Sequence, residues 1–339
     1  MTTVRESPAS YAPADLQHPR SVQARSGAAD RLFHAVARSA GGATVGIMLA
    51  VGLFLSVRAS DALQATGTGF LTEQQWSPET GQFGVAAILF GTVTIAVIAL
   101  LVAFPLAFGT ALLLSEIATG ATRRFMVSLV DLMAAVPSII FGLWGVYFLQ
   151  AAIIPVSQWI SSTFVFIPIL AVTDESGARV SDASFFTSSA FIAGIVVGFM
   201  VVPTTTSVMR EAFSQAPPGE REGAYALGST RWGMIRAVVL PFGKGGVIGG
   251  TMLGLGRALG ETIAVYMIIS PIFSINWQVL KTGTNSVSAL IALRYGEATD
   301  FGLSALMAAG LVLFAVTLVI NFTASSIVAR SRSGAQSEV

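Results

Sequence analysis

Two ionisable residues stand alone in an otherwise apolar run: between about 245 and 270 the only charges are Arg257 and Glu261. Four positions apart, they share a helix face and can pair. A charge near the centre of a membrane helix costs about 2.5–3.5 kcal/mol on insertion scales, so its presence asks for a function. A guanidinium offers a planar fork of donors that binds an oxyanion through two parallel bonds. Arg257 is therefore a candidate for lining an anion path. Glu261 would hold it when the path is empty and keep anion binding weak enough for release. The alternative reading of the same residues is a permanent ion pair that fastens this helix to its neighbours. A second concentration of charge lies just upstream: the polar loop 210–244 carries five of the nineteen Lys and Arg residues.

The scaffold that must position these groups is helical and membrane-embedded. Of 339 residues, 53% are hydrophobic and only 11% charged, where a soluble domain carries roughly a quarter. Several apolar runs reach the roughly 18–20 residues that a helix needs to cross a bilayer. The expected fold class is an all-α polytopic membrane protein with six transmembrane helices. Thirty-four glycines suit that class, because membrane helices pack closely through small residues. There is no cysteine, which removes disulfides, redox pairs and thiolate metal sites. Both histidines, His18 and His34, precede the first expected span, so no histidine chemistry and no metal site are expected in the membrane. Basic residues are spread over several loops instead of forming a patch, which argues against a nucleic-acid partner.

In chain order, residues 1–40 read as a mostly disordered tail rich in Ser, Ala, Pro and charge. Residues 30–39 form either a short interfacial helix or an extension of the first span. Spans are expected at about 41–58, 84–114, 126–150, 187–209, 245–270 and 303–328, making 41–328 the membrane domain and 329–339 a short tail. The stretch 151–186 reads as an outward loop. Fourteen Lys and Arg residues fall in the two tails and in the 115–125 and 210–244 loops, and four in the other three loops. The positive-inside rule then places both termini and the 210–244 loop in the cytoplasm of a multi-pass plasma-membrane protein.

Within the 210–244 loop, Pro217-Pro218-Gly219 ends one element and Glu220-Arg221-Glu222 opens a short helix, acids first. Ala224-Tyr225-Ala226-Leu227 gives it an exposed apolar patch and Gly228 closes it. A second helix, 229–239, is expected to lie along the membrane until Leu240-Pro241 turns it upward. A short helix with apolar knobs and charged flanks fits a partner's groove. The segment EGAYALGSTRWGMIRAVVLP resembles the cytoplasmic signature of ABC-importer permeases. Glu222, Ala224, Gly228, Leu240 and Pro241 stand at the signature's spacing, while Gly223 and Val238 replace its usual Ala and Ile. That resemblance implies a coupling helix, involving Glu222, Gly223, Ala224, Gly228, Leu240 and Pro241, docked on a separate ATP-binding subunit. The only comparable glycine–lysine run, Gly243-Lys244-Gly245, lacks the upstream Gly and following Ser/Thr of a phosphate-cradling loop, so ATP and Mg would belong to the partner and this chain would hold no cofactor and be no enzyme.

GRALGETIAV, around Arg257 and Glu261, resembles the fifth-span signature of phosphate-importer permeases of the PstC type, and AAVPSIIFGLWG (134–145) resembles their third span. The resemblance covers about residues 84–328. It implies a type I ABC-importer architecture in which two related permeases form a heterodimer over two copies of an ATP-binding subunit. A phosphate-binding protein would dock outside, phosphate would pass Arg257 and Glu261, and alternating access would be driven by ATP. Two other readings stay open: a permease for another oxyanion such as sulfate or molybdate, and a gradient-driven secondary transporter. An intramembrane enzyme would need a nucleophile and a base, and neither His nor Cys is available in the membrane.

Overall fold

A chain in lipid must satisfy its backbone polar groups internally, and an uninterrupted apolar run does so as helix. The computed structural model describes residues 27–174 and 176–332. Among them six helices are long and apolar enough to cross a membrane: Ala28–Arg58, Ala86–Ile117, Ser138–Thr163, Ala190–Ser214, Arg231–Leu259 and Asp300–Ile327. They are called spans 1 to 6 below. Most of the expected tails lie outside the described residues. Where the description begins, residues 30–39 are continuous with span 1 in one helix, which includes His34. Span 6 likewise continues as helix to Arg332.

Two compact units are distinguishable, one ending at Val51 and the other running from Gly52 to the C-terminus. In the larger unit, span 4 is the central element. It buries fifteen residues, from Ala190 to Phe213, against span 2 on one side and span 5 on the other. Small residues make both contacts close. Span 2 presents Ala99, Ala103, Ala107 and Ala111, all fully or nearly fully buried, one per helical turn. A Cβ on Gly194 would stand 2.5 Å from Ile98, and one on Gly198 would stand 3.0 Å from the Ala99 carbonyl. On the other side Gly243, Gly246, Gly250 and Gly254 of span 5 lie directly on Phe213, Ala212, Met209 and Thr205 of span 4. Four-residue spacing of glycines thus works here as a packing stripe.

A second apolar cluster sits at the opposite end. There a two-residue hairpin, Trp76–Ser77 with Gln82–Phe83, packs Phe70, Trp76 and Phe83 against Leu290, Ala305 and Leu306.

The bounds of two spans depart from the expectation. Span 3 was expected at 126–150 and is Ser138–Thr163. Pro137 disfavours helical geometry at the residue before it, so residues Gly120–Ala134 form a separate helix that buries none of its side chains. Residues 151–163 are consequently helix and not outward loop. Span 5 was expected at 245–270 and runs Arg231–Leu259. Its opening segment is no separate surface helix: a π turn at Ile235–Val239 joins it to the rest. Pro241 lacks an amide donor, and the wider i→i+5 bonding of a π turn absorbs such an irregularity. The span ends at Leu259, and a short helix, Ile263–Ile268, follows after a break.

Candidate functional site

The expected loop helix is present as Pro218–Ala226, with proline in its first turn and Glu220 beside it. It ends as the glycine predicts. Gly228 has φ +82°, the Ser229 amide donates to the Ala224 carbonyl at 3.1 Å and the Gly228 amide to Tyr225 at 2.9 Å. A left-handed residue closed by these bonds is a helix terminus built for glycine. Ala224 turns inward, 8% exposed, onto Phe213, Met234, Ile235 and Val239. Glu222 faces outward, with Tyr225 45% and Leu227 89% exposed. Trp232, exposed as well, extends the patch onto the start of span 5, whose first residue is capped by the Thr230 hydroxyl accepting from the Gly233 amide at 3.1 Å. Gly223, where the signature has Ala, has open space around the position of a Cβ. Leu240 and Pro241 sit inside span 5, directly after the π turn.

The loop helix is also anchored by a residue pair that sequence reasoning passed over. Arg221 Nη1 donates to Glu116 Oε2 at 3.2 Å, and its Nη2 donates to the Phe213 carbonyl at 2.6 Å. The side chain of Glu116 is 2% exposed and that of Arg221 22%. Composition held a signal: Glu116 is the only charge in span 2, and Arg221 the only base between 211 and 230.

Arg257 lies in the last turn of span 5, where a cation also meets the unpaired carbonyls of the helix end. It is exposed, and its Nη1 donates to the Thr204 hydroxyl of span 4 at 3.0 Å. A cavity of about 570 Å³ opens beside it between spans 5 and 6, lined by Gly256, Arg257, Gly260, Phe314, Thr317 and Asn321 among others. Gly256 and Gly260, having no side chains, leave this space open. Asn321 and Thr317 were not singled out from the sequence, although an amide in the apolar run of span 6 is itself a polar exception. A second cavity, of about 380 Å³, has Glu79 and Glu297 beside Arg294 in its wall and suits an anion less well.

The expected pairing of Arg257 with Glu261 is not formed. Among the described residues the ion pairs are His34–Asp30 and Arg221–Glu116. A four-residue spacing brings side chains together only on a continuous helix, and the helix stops at Leu259. Glu261 instead accepts from the Ala264 amide at 3.2 Å, satisfying an orphan donor at the start of the following short helix. No group of three or more His, Asp or Glu residues that could hold a metal occurs among the described residues.

On the 151–189 side, Asp174 and Asp182 each organise a turn. Bonds from the Ser176 hydroxyl (2.7 Å) and the Ser176 and Ala178 amides hold the Asp174 carboxyl below its usual value of 3.8. The Ser184 hydroxyl and amide do the same for Asp182.

Six membrane-length spans with a short, exposed helix inserted between the fourth and fifth are the membrane component of a transport system. The chain belongs to the family of binding-protein-dependent transport system inner membrane components, whose model matches residues 111–333. It is similar over most of its length to proteins named phosphate transport system permease protein PstC. One from Xylella fastidiosa is 35% identical, over 91% of this chain and 93% of that protein. One from Mesorhizobium japonicum is 36% identical, over 90% and 92%. PstC 2 of Mycobacterium tuberculosis is 35% identical, over 88% and 91%. The fold is that of an ABC-importer permease. It resembles a bacterial ABC transporter involved in import of the acidic polysaccharide alginate (TM-score 0.54, 18% identity, 88% of this chain and 99% of that one). It also resembles the MetNI methionine ABC transporter in an inward-facing form (TM-score 0.50, 16% identity, 73% and 95%).

Proposed function

We propose that this chain is the PstC-type permease subunit of an ATP-driven phosphate importer and moves inorganic phosphate across the plasma membrane by alternating access. The observation that carries the reading is Arg257. It is a cation on the flank of a membrane span, held by one neutral hydroxyl and facing an open cavity. Lipid is a poor neighbour for such a group, and a second protein chain or a water-filled path is a good one. That supports a companion permease closing the path from the other side. Two of the guanidinium's donor edges remain available for a phosphate. Glu261 contributes by capping the helix that continues the chain past the path, and its charge limits how tightly an anion is held.

The loop helix Pro218–Ala226 docks on an ATP-binding subunit, present in two copies, through Glu222, Tyr225 and Leu227. ATP and Mg are held there, ATP is hydrolysed there, and a phosphate-binding protein delivers substrate on the opposite face. The distribution of Lys and Arg supports both termini and the loop helix on the cytoplasmic side. The test is uptake into proteoliposomes holding this chain, its companion permease and the ATP-binding subunit, with binding protein outside, ATP inside and sulfate as competitor. Uptake that requires ATP and ignores sulfate is expected. Uptake blocked by sulfate would overturn the substrate, and uptake without ATP would overturn the coupling.

A further inference from the structure

A docking helix can drive transport only if its displacement reaches the membrane spans, and most of this helix has little grip on them. Of its side chains only Ala224 is buried, a single methyl group in an apolar cluster that can slide. The firm attachment is Arg221. One guanidinium reaches two separate spans: Glu116 at the end of span 2, and the Phe213 carbonyl in the last turn of span 4. Glu116 stands in a π turn, Leu113–Ile117, that closes span 2. The same turn is gripped from the next helix by Arg123, whose Nε donates to the Leu114 carbonyl at 3.0 Å.

Stability alone does not account for this pair. Burying two charges costs about as much solvation as their attraction returns, and apolar residues of like volume are often neutral or better in such places. The pair is also incompletely bonded. Glu116 Oε1 lies 3.2 Å from Arg221 Nη2 without hydrogen-bond geometry, and Arg221 Nε is buried without an acceptor among the described residues. Buried polar groups in native proteins are ordinarily satisfied, so these unmet ones point to a role other than stability.

We propose that Arg221 and Glu116 form the mechanical link of this permease. Through it, displacement of the loop helix by the ATP-binding subunit is passed to spans 2 and 4. The inference rests on the reading of Pro218–Ala226 as the docking helix. Arg221 is a positioning residue here and touches no substrate.

The test uses the complete reconstituted complex and reads phosphate moved per ATP hydrolysed. In Arg221→Gln and Glu116→Gln that ratio should fall about tenfold, a coupling loss of ordinary allosteric size. Arg221→Lys, which keeps the charge and loses the fork, should fall between these and the parent. Because a lone buried charge can prevent assembly, the deciding variant is the double change Glu116→Leu with Arg221→Met, which restores apolar packing without the link. Assembly with a lost coupling ratio is the expected result, and a parental ratio in that double variant would overturn the proposal.

A second readout is independent of substrate. The chain has no cysteine, so labels placed by Ile117→Cys and Ala226→Cys, both at exposed positions, report the distance across the link. It should stay fixed on ATP addition and spread once Arg221 is replaced. A distance that changes with ATP in the otherwise unaltered chain would overturn the link. Absence of phosphate uptake by the unaltered complex, with the label distance still fixed, would count against the substrate alone.

Discussion

Replacing Arg257 by Gln separates the two roles that a lone membrane cation can play, because the structure assigns them very different energies. As a fastening, Arg257 makes one bond, 3.0 Å to the Thr204 hydroxyl, at an exposed position. A bond from a charged donor contributes about 1.5–3 kcal/mol, and a glutamine amide, able to donate to the same oxygen, retains most of it. Assembly of the complex should therefore survive. As a phosphate ligand, the fork supplies two charge-assisted bonds of about 1.5–3 kcal/mol each. Losing both removes at least about 3 kcal/mol, which is more than a hundredfold in phosphate transfer at about 1.4 kcal/mol per decade. Arg257→Lys keeps the charge without the fork and should lose about tenfold. The assay is phosphate uptake by reconstituted complex, with subunit stoichiometry checked on the same sample. A fully assembled Arg257→Gln complex that transports within about threefold of the parent would refute the phosphate-path role. Failure of that variant to assemble would show that the fastening role had been undervalued.

Other expectations follow from local geometry. Gly246→Ala would set a methyl onto that of Ala212, while Gly249→Ala meets nothing within 4 Å. The first should destabilise by about 1–3 kcal/mol and lower the thermal unfolding temperature, while the second, at an open helical site, should stabilise by up to about 1 kcal/mol. In the loop helix Gly223→Ala should stabilise by roughly 0.8–1 kcal/mol, since the site is open and helical. Gly228→Ala should cost about 1–2 kcal/mol, because φ +82° is left-handed. Hydrogen exchange across 219–229 distinguishes the two. The Asp174 turn is stabilised by the ionised carboxylate, whose folded value lies below the ordinary 3.8. Its contribution is complete above about pH 4 and is lost as pH falls through that depressed value. Asp174→Asn, which removes the charge at all pH, should raise amide exchange at Ala178 already at neutral pH. Unchanged exchange would show that the turn is held by something else.

The number of spans was legible in the sequence because length and apolarity decide whether a helix can cross lipid, and both are local quantities. Their boundaries were less so. Pro137 was read as a residue early in a span and proved to be the break before it. Pro241 was read as the corner between a surface helix and a span, and a π turn carries the helix through instead. The identity of Arg257 as an exception was equally plain, since a lone charge needs only composition to be seen. What it touches was not. Pairing with Glu261 follows from the four-residue spacing only if the helix continues past Gly260, and whether it does depends on Glu261 capping the next helix. Thr204, fifty-three positions away, is brought to Arg257 by span packing that no spacing encodes. The Glu116–Arg221 pair, 105 positions apart, was hidden for the same reason.

Span 5 runs from the loop helix to Arg257 as one helix. It begins at Arg231, three residues after the loop helix is closed by Gly228, and ends two residues beyond Arg257. Twenty-nine residues at 1.5 Å each make a rod of about 44 Å. Its glycine stripe removes the side chains that would otherwise cushion its contact with span 4, so the two helices meet backbone to side chain with little compliance. The irregularities lie at the rod's ends: the π turn at 235–239 and the Gly260–Thr262 break. On the proposed function, a push on the loop helix is carried to span 4 by Arg221 and to span 5 by covalent continuity, and these are the two spans that hold Thr204 and Arg257. A relative shift between them acts directly on the 3.0 Å bond that orients the guanidinium. The residue that would greet the anion is therefore positioned by the two elements that the docking helix controls, which is the arrangement a coupled importer requires and a passive channel does not.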